Sequence, residues 1–279
     1  MPLLESLMIL NDMEIDYKRG ALNAKHQIMK DGISKYFNTG VRFGFFDSDE
    51  NLIDILDGII NDLTKYVKYY CYICDIKIKI MKIQLVDLNP EMVNAWKHEF
   101  HNYEDVSIHL DDFFAVETDC IVSPANSFGF MNGGLDGVIT KRLGRQVESN
   151  VQNYIKELYL KELLVGQATI VETDNDKIPY CISAPTMRTA GSDISNTLNV
   201  YLASKAIFTV LKTIQIEDYT MINTVNISGL GTGVGGMYPE ICAFQMKQAY
   251  IEVWKGKGYF PKSSSSAKLR HEQLISGIL

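Results

Sequence analysis

Asn126 and Asp136 stand at the two ends of one stretch, VSPANSFGFMNGGLDGVI, residues 122–139. An amide and a carboxylate so placed could hold the hydroxyls of a sugar. Gly133 and Gly134 between them let the backbone approach a ligand closely, and a helix opening near Leu135 aims unpaired N–H groups back at the turn, where they suit an anion. A second stretch, SGLGTGVGGMYP over residues 228–239, carries Gly229, Gly231, Gly233, Gly235 and Gly236. Consecutive amides in such a loop can curl round a phosphate as an anion nest. Each charge-assisted hydrogen bond of that kind contributes roughly 1.5–3 kcal/mol, and a helix terminus adds about 0.3–1 kcal/mol. The order lacks the GxxxxGK[ST] lysine of a P-loop, and a dinucleotide fingerprint belongs after the first strand, so neither reading applies. Either loop alone is as well explained by an ordinary glycine-rich turn. Two in one domain, one of them with an Asn and an Asp, are what a nucleotide-sugar diphosphate needs.

The elements that must position these loops alternate between strand-like and helix-like from Met81 onward, the pattern of an α/β sandwich with a largely parallel sheet. KIQLVDL is a predicted strand, and Asn89, Pro90 and Glu91 supply an N-cap, a first-turn proline and an early acid for a helix through Phe100. VSIHLDDFF and TDCIVSPAN follow as strands, then a long helix or broken pair from Gly134, strands in GQATIVET and PYCISAPTM, a helix in TLNVYLASKAIFTVLKTI, a buried strand in TVNISG and a closing helix from Tyr238. Both glycine loops thereby lie between a strand end and a helix start, the place where parallel sheets bind ligands.

The residues quoted resemble the macro domain family, over roughly residues 81–258. Ser123-Pro124-Ala125-Asn126 leading to Gly133-Gly134-Leu135-Asp136-Gly137 is similar to the family's strand-end motif, with the Asn-to-Asp spacing of its hydrolase branch. Asp111-Asp112-Phe113 falls where the family has Gly-Asp-Ile, which implies that Asp112 accepts the adenine amino hydrogens and that the Phe113 amide faces the same ring. Gly231-Thr232-Gly233-Val234-Gly235-Gly236 is similar to the diphosphate loop. The resemblance implies a three-layer α/β/α macro-domain sandwich with a central mixed, largely parallel sheet. It also implies ADP-ribose, free or on a modified macromolecule, as the partner, with no cofactor and no metal. Asn126 would orient the distal ribose, and Asp136 would fix that ribose or an attacking water in hydrolysis of an ADP-ribosyl linkage. Asn132 in place of a glycine, Thr140 where hydrolases often carry His, and Gly235 in place of the aromatic over the distal ribose depart from the pattern. They bear on hydrolysis more than on binding, so a non-catalytic reader and an ADP-ribose 1″-phosphate phosphatase stand as alternatives. Residues 185–188, PTMR, with Thr197, Asn199 and Tyr201, look like a phage, viral and microbial subgroup.

The rest of the chain bounds these expectations. Its 27 basic against 34 acidic residues give a net charge of −7, which disfavours broad nucleic-acid coating and leaves phosphate attraction to local amides. Five cysteines set mostly in apolar runs, including a lone CxxC at Cys71 and Cys74, suit buried thiols of a reducing interior better than disulfides or metal. The N-terminus lacks the marks of a signal peptide and no apolar run approaches the ~20 residues of a membrane span, so a soluble cytoplasmic protein is expected. His98 and His101 share a helix face without a third ligand, the tyrosines 66, 69, 70 and 72 suit core or interface, and Arg188 follows a strand end within possible reach of a phosphate. Residues 1–80 form an N-terminal extension with plausible helices at residues 22–36 and 52–67, and residues 259–279 a solvated tail with a short terminal helix.

Overall fold

The computed structural model describes residues 81–159, 161–217 and 222–278, so the helices and tyrosine cluster read in residues 1–80 lie outside the described residues. The strands are β1 (Lys82–Asp87), β2 (Val106–Leu110), β3 (Cys120–Ser123), β4 (Thr169–Glu172), β5 (Tyr180–Ser183) and β6 (Thr224–Ile227). They form one sheet in the order β2-β1-β6-β3-β5-β4, parallel throughout except that β4 runs antiparallel to β5. Because both faces of a parallel sheet are covered, its strands are apolar on both. Ile83, Leu85, Cys120, Val122, Ile182 and Val225 bury into one face, while Val86, Ile121 and Cys181 bury into the other.

Helices α1 (Pro90–Phe100), α4 (Asn199–Glu217) and α5 (Pro239–Ala249) cover the first face, with Trp96, Phe208 and Met246 in its core. Helices α2 (Gly134–Leu143) and α3 (Gln146–Leu158) cover the second through Ile139, Val147, Val151 and Ile155. The architecture is the expected three-layer α/β/α sandwich on a mixed, largely parallel sheet. α1 begins as read from sequence: Asn89 accepts the Glu91 N–H at 2.9 Å and Pro90 opens the first turn. The long helical stretch from Gly134 is a broken pair because Gly144, at φ +100°, takes a backbone angle that other residues rarely adopt. Cys120, Cys181 and Cys242 are buried free thiols, whereas Cys71 and Cys74 lie outside the described residues. Among the described residues no helix is long and apolar enough to cross a membrane.

The last segment is more than a solvated tail. Ser263 caps α6 (Ser264–Ser276) through a reciprocal box with Ser266. Leu274 is 3% exposed, and Gln245 on α5 donates to its carbonyl at 3.1 Å. Arg270 reaches Glu252 at 2.9 Å, where that nearly buried carboxylate also receives Lys205 at 3.1 Å and the Tyr201 hydroxyl at 2.6 Å. Glu252 lies on a π-helical turn, Tyr250–Trp254, that prolongs α5. The sequence of residues 262–273 hides this attachment because only Leu274, just beyond it, and the stem of Arg270 are committed to the core side.

Leu274→Ala is expected to destabilise the full chain by roughly 2–4 kcal/mol, the usual cost of truncating a buried leucine, read as a lower urea midpoint with an unchanged slope. A loss under about 0.5 kcal/mol would show that α6 is not part of the folded unit.

Candidate functional site

β1, β6 and β3 are consecutive parallel neighbours, so the segments after their C-terminal ends leave the sheet from one edge. Those segments wall a cleft of about 370 Å³. Val86, Asp87 and Leu88 come from the end of β1, Phe113 from the turn after β2, and Thr186 and Met187 from the segment after β5. Ala190 and Gly191 of that last segment and the two glycine loops form the remaining walls.

In the first loop the Asn126 amide is committed to the loop itself. Its Nδ2 donates to the Phe130 carbonyl at 2.7 Å, and its Oδ1 accepts from the N–H groups of Phe128 at 3.2 Å and Phe130 at 3.3 Å. One Nδ2 hydrogen is left for a ligand. The amide thus fixes the turn that projects the Phe130 ring, 53% exposed, into the cleft. Gly133 and Gly134 follow in the same wall, and the first-turn amides of α2 have no intrahelical acceptors. Asp136 lies in that turn, 8% exposed, with the Ser123 hydroxyl donating to its Oδ1 at 2.6 Å. Burial pushes the Asp136 carboxyl up to about 6, against the pull of the Ser123 hydrogen bond and helped by the charge of nearby Glu148.

In the second loop, Gly231, Thr232, Gly233, Val234 and Gly235 line the cleft and Gly236 does not. The Thr232 N–H turns back to Gly229 and the Gly236 N–H to Gly233, so these two amides close the loop. The N–H groups of Gly231, Gly233, Val234 and Gly235 have no acceptor among the described residues. The diphosphate loop expected over residues 231–236 therefore offers the free amides of Gly233, Val234 and Gly235, with Gly231 beside them. Ile194, 2% exposed, fills the space beneath: a methyl group on Gly231 would lie 2.4 Å from its Cδ1, and one on Gly235 2.7 Å from its Cγ1. The Gly235 position therefore has no room for an aromatic side chain.

The remaining expected residues divide. Phe113, 8% exposed, lines the cleft and has an N–H without an acceptor among the described residues. Asp112 beside it is outside the walls: it accepts the Phe114 N–H at 2.8 Å and lies 3.8 Å from Arg142. Arg188 is likewise elsewhere, held by Glu162 at 2.6 Å and over the Phe128 ring. His101 donates its Nδ1–H to the His98 carbonyl at 2.9 Å, and among the described residues no group of three potential ligands could hold a metal ion. Asp87 was not singled out by sequence. Its Oδ1 and Oδ2 accept the N–H groups of Asn89 at 2.9 Å and Gly229 at 3.0 Å, tying β1 to the second loop. Its place at the end of an apolar strand was a visible signal; its partner was not, because that depends on β1 pairing with β6.

A family model for the Macro domain matches residues 122–246, the span that holds both loops. An uncharacterised protein of Aquifex aeolicus is 30% identical over 142 residues, covering 51% of this chain and 78% of its own length. Among solved structures, the macrodomain of Mycobacterium tuberculosis DarG is 18% identical, with a TM-score of 0.42 over 53% of this chain and 88% of its own. A substituted Oceanobacillus iheyensis macrodomain with ADPR is 19% identical, with a TM-score of 0.41 over 56% and 84% of the two chains.

Two outcomes follow from the geometry. An acid whose pKa rises on folding contributes stability below its unfolded value, lost as pH rises through the folded one. For Asp136 the window runs from pH 3.8 to about 6. Asp136→Asn is then expected to raise stability at pH 8 by roughly 1–3 kcal/mol and by little at pH 3, measured by denaturant unfolding at both. Gly231 sits at φ +71°, so Gly231→Ala combines backbone strain with displacement of Ile194. It should lower stability by about 1–3 kcal/mol, and a variant as stable as the parent would show that the loop yields freely.

Proposed function

This chain belongs to the macro domain family, and from that premise we propose that its cleft binds ADP-ribose and hydrolyses ADP-ribosyl linkages or ADP-ribose derivatives. The supporting observation is the meeting in one cleft of unpaired amides from two glycine loops, at Gly231, Gly233, Val234 and Gly235 and in the first turn of α2, around a single buried carboxylate. The diphosphate sits on the amides of residues 233–235, next to the exposed helix terminus. Phe113 and Leu88 bound the adenine end, with the Phe113 N–H in place of the Asp112 carboxylate as the polar contact. Asn126 reaches the distal ribose with its one remaining hydrogen, and Asp136 accepts from a ribose hydroxyl or a water.

In hydrolysis, water adds to the anomeric carbon as the bond to the leaving group breaks, and a carboxylate stabilises the oxocarbenium-like charge that develops there. A carboxyl with a pKa of about 6 is ionised at neutral pH yet basic enough to take part in proton transfer, which suits that role. We assign the macro domain to residues 81–258, with α6 of the following segment packed on it and residues 1–80 as an N-terminal extension. A non-catalytic reader is the second reading. It is favoured by Gly235, where Ile194 leaves no room for a ring over the distal ribose.

Calorimetric titration of ADP-ribose into the wild type should show micromolar or tighter binding. Asn126→Ala, which removes three hydrogen bonds worth about 0.5–1.5 kcal/mol each from the turn carrying Phe130, should weaken it at least tenfold. Release of ADP-ribose from an ester-linked modified protein by the same wild-type sample supports the hydrolase. Binding without release supports the reader, and a wild type that takes up no ADP-ribose ends both.

A further inference from the structure

Ser123 closes β3 and Asp136 lies in the first turn of α2, so the sheet and the helix laid on it bring a hydroxyl and a carboxylate into contact at the cleft wall. Ser123 is fully buried, and its Oγ–H donates to Asp136 Oδ1 at 2.6 Å. The other groups facing Asp136 do nothing to hold its charge. Glu148, from α3, is acidic and accepts the Met131 N–H at 3.0 Å. Cys181, from β5, is a neutral thiol pushed far above its usual range by burial. Ser183 pairs in register with Ser123 on β5, is fully buried, and its Oγ makes no hydrogen bond among the described residues. Among the described residues no Lys, Arg or His pairs with Asp136, and its Oδ2 has no hydrogen-bond partner although the residue lines the cleft. Among the described residues one neutral hydroxyl is thus the carboxylate's only side-chain hydrogen bond, beside its favourable place in the first turn of α2.

We propose that Ser123 is a positioning residue for Asp136: by holding Oδ1 it leaves Oδ2 as the acceptor turned to the cleft. The inference rests on the reading of the cleft as an ADP-ribose site for what Oδ2 meets, a ligand hydroxyl or a bound water, but not for the pairing itself. Removing the donor makes the charged form harder to maintain, so the carboxyl keeps its proton to higher pH. With Oδ2 protonated, the ligand loses its acceptor. Affinity for the ligand should therefore fall with acid in the wild type, and the fall should begin at higher pH once Ser123 is gone. The direction of the Asp136 shift, upward to about 6, agrees with a site in which a single hydrogen bond works against desolvation and a neighbouring acid.

The test follows the Asp136 carboxyl by carbon-detected NMR titration of the full chain, assigned by its loss in Asp136→Asn. Wild type, Ser123→Ala and Ser123→Thr are compared, and ADP-ribose affinity is measured by calorimetry from pH 5.5 to 8. The wild type should titrate near 6, Ser123→Ala about one pH unit higher, and Ser123→Thr, which keeps the hydroxyl, within a few tenths of the wild type. At pH 6.5 the alanine variant should bind ADP-ribose about threefold more weakly than the threonine variant, with the difference narrowing at pH 8. A midpoint unmoved in Ser123→Ala, or a wild-type Asp136 that titrates with ordinary carboxylates near 4, overturns the proposal. A shifted midpoint in a protein that takes up no ADP-ribose supports the pairing and instead ends the binding reading.

Discussion

Parallel pairing of β6 with β3 is the constraint on which the cleft depends. Cys120 opposite Val225 and Ile121 opposite Asn226 set both strands running the same way, so the loops after Ser123 and after Ile227 leave the sheet side by side. A single change of direction would send one glycine loop to the far edge. Polar groups inside the sheet reinforce the arrangement at the same place. Asn226 accepts from Gln84 at 2.8 Å and donates to the carbonyls of Phe113 at 3.0 Å and Val116 at 2.9 Å, which pins the turn that delivers the Phe113 ring. A buried network of this kind, with its amide groups satisfied, favours one geometry over its neighbours.

Within that frame, the glycines answer a packing demand as much as a ligand. Gly229, Gly231 and Gly235 have no room for a Cβ, because Met92 and Ile194 press against the second loop from below, whereas Gly133, Gly134 and Gly233 face open space. The first set holds the loop flat on the core. The second set is free of that demand, and its bare backbone is where a ligand would make contact.

Much of this was legible in the sequence, since strand ends, helix caps and glycine runs are local signals. The pattern of alternating elements located six strands and both loops, and Asn89-Pro90-Glu91 marked the start of α1 to the residue. What was not legible depended on partners distant in the chain or on side-chain direction. Asp87 gained its place through the loop after β6, and Ser123 through a helix that begins beyond an intervening turn. Asn126 was visible as a polar strand end, yet nothing in its spacing said that its carbonyl would turn inward to Phe128 and Phe130. Asp112 was placed at the cleft by motif alone, and the backbone turned it toward the Phe114 N–H. α6 escaped because one leucine and one arginine carry its attachment.

The charge distribution of the cleft closes the argument. Among the described residues its walls include Asp87 and Asp136 but no lysine, arginine or histidine, and Arg142 and Arg188 are engaged elsewhere, Arg142 toward Asp112 and Arg188 with Glu162. With a net charge of −7 over the whole chain, long-range attraction also works against an anion. A diphosphate held here would rest on fixed amide dipoles, whose interaction acts at contact range and is therefore screened far less by salt than that of a lysine patch. The same absence of cations leaves Asp136 dependent on Ser123, and burial of that uncompensated carboxyl works against the stability of the fold at neutral pH. Anion binding by amides alone and an acid without a cationic partner are thus two results of one feature, a cleft wall with no positive side chain among the described residues.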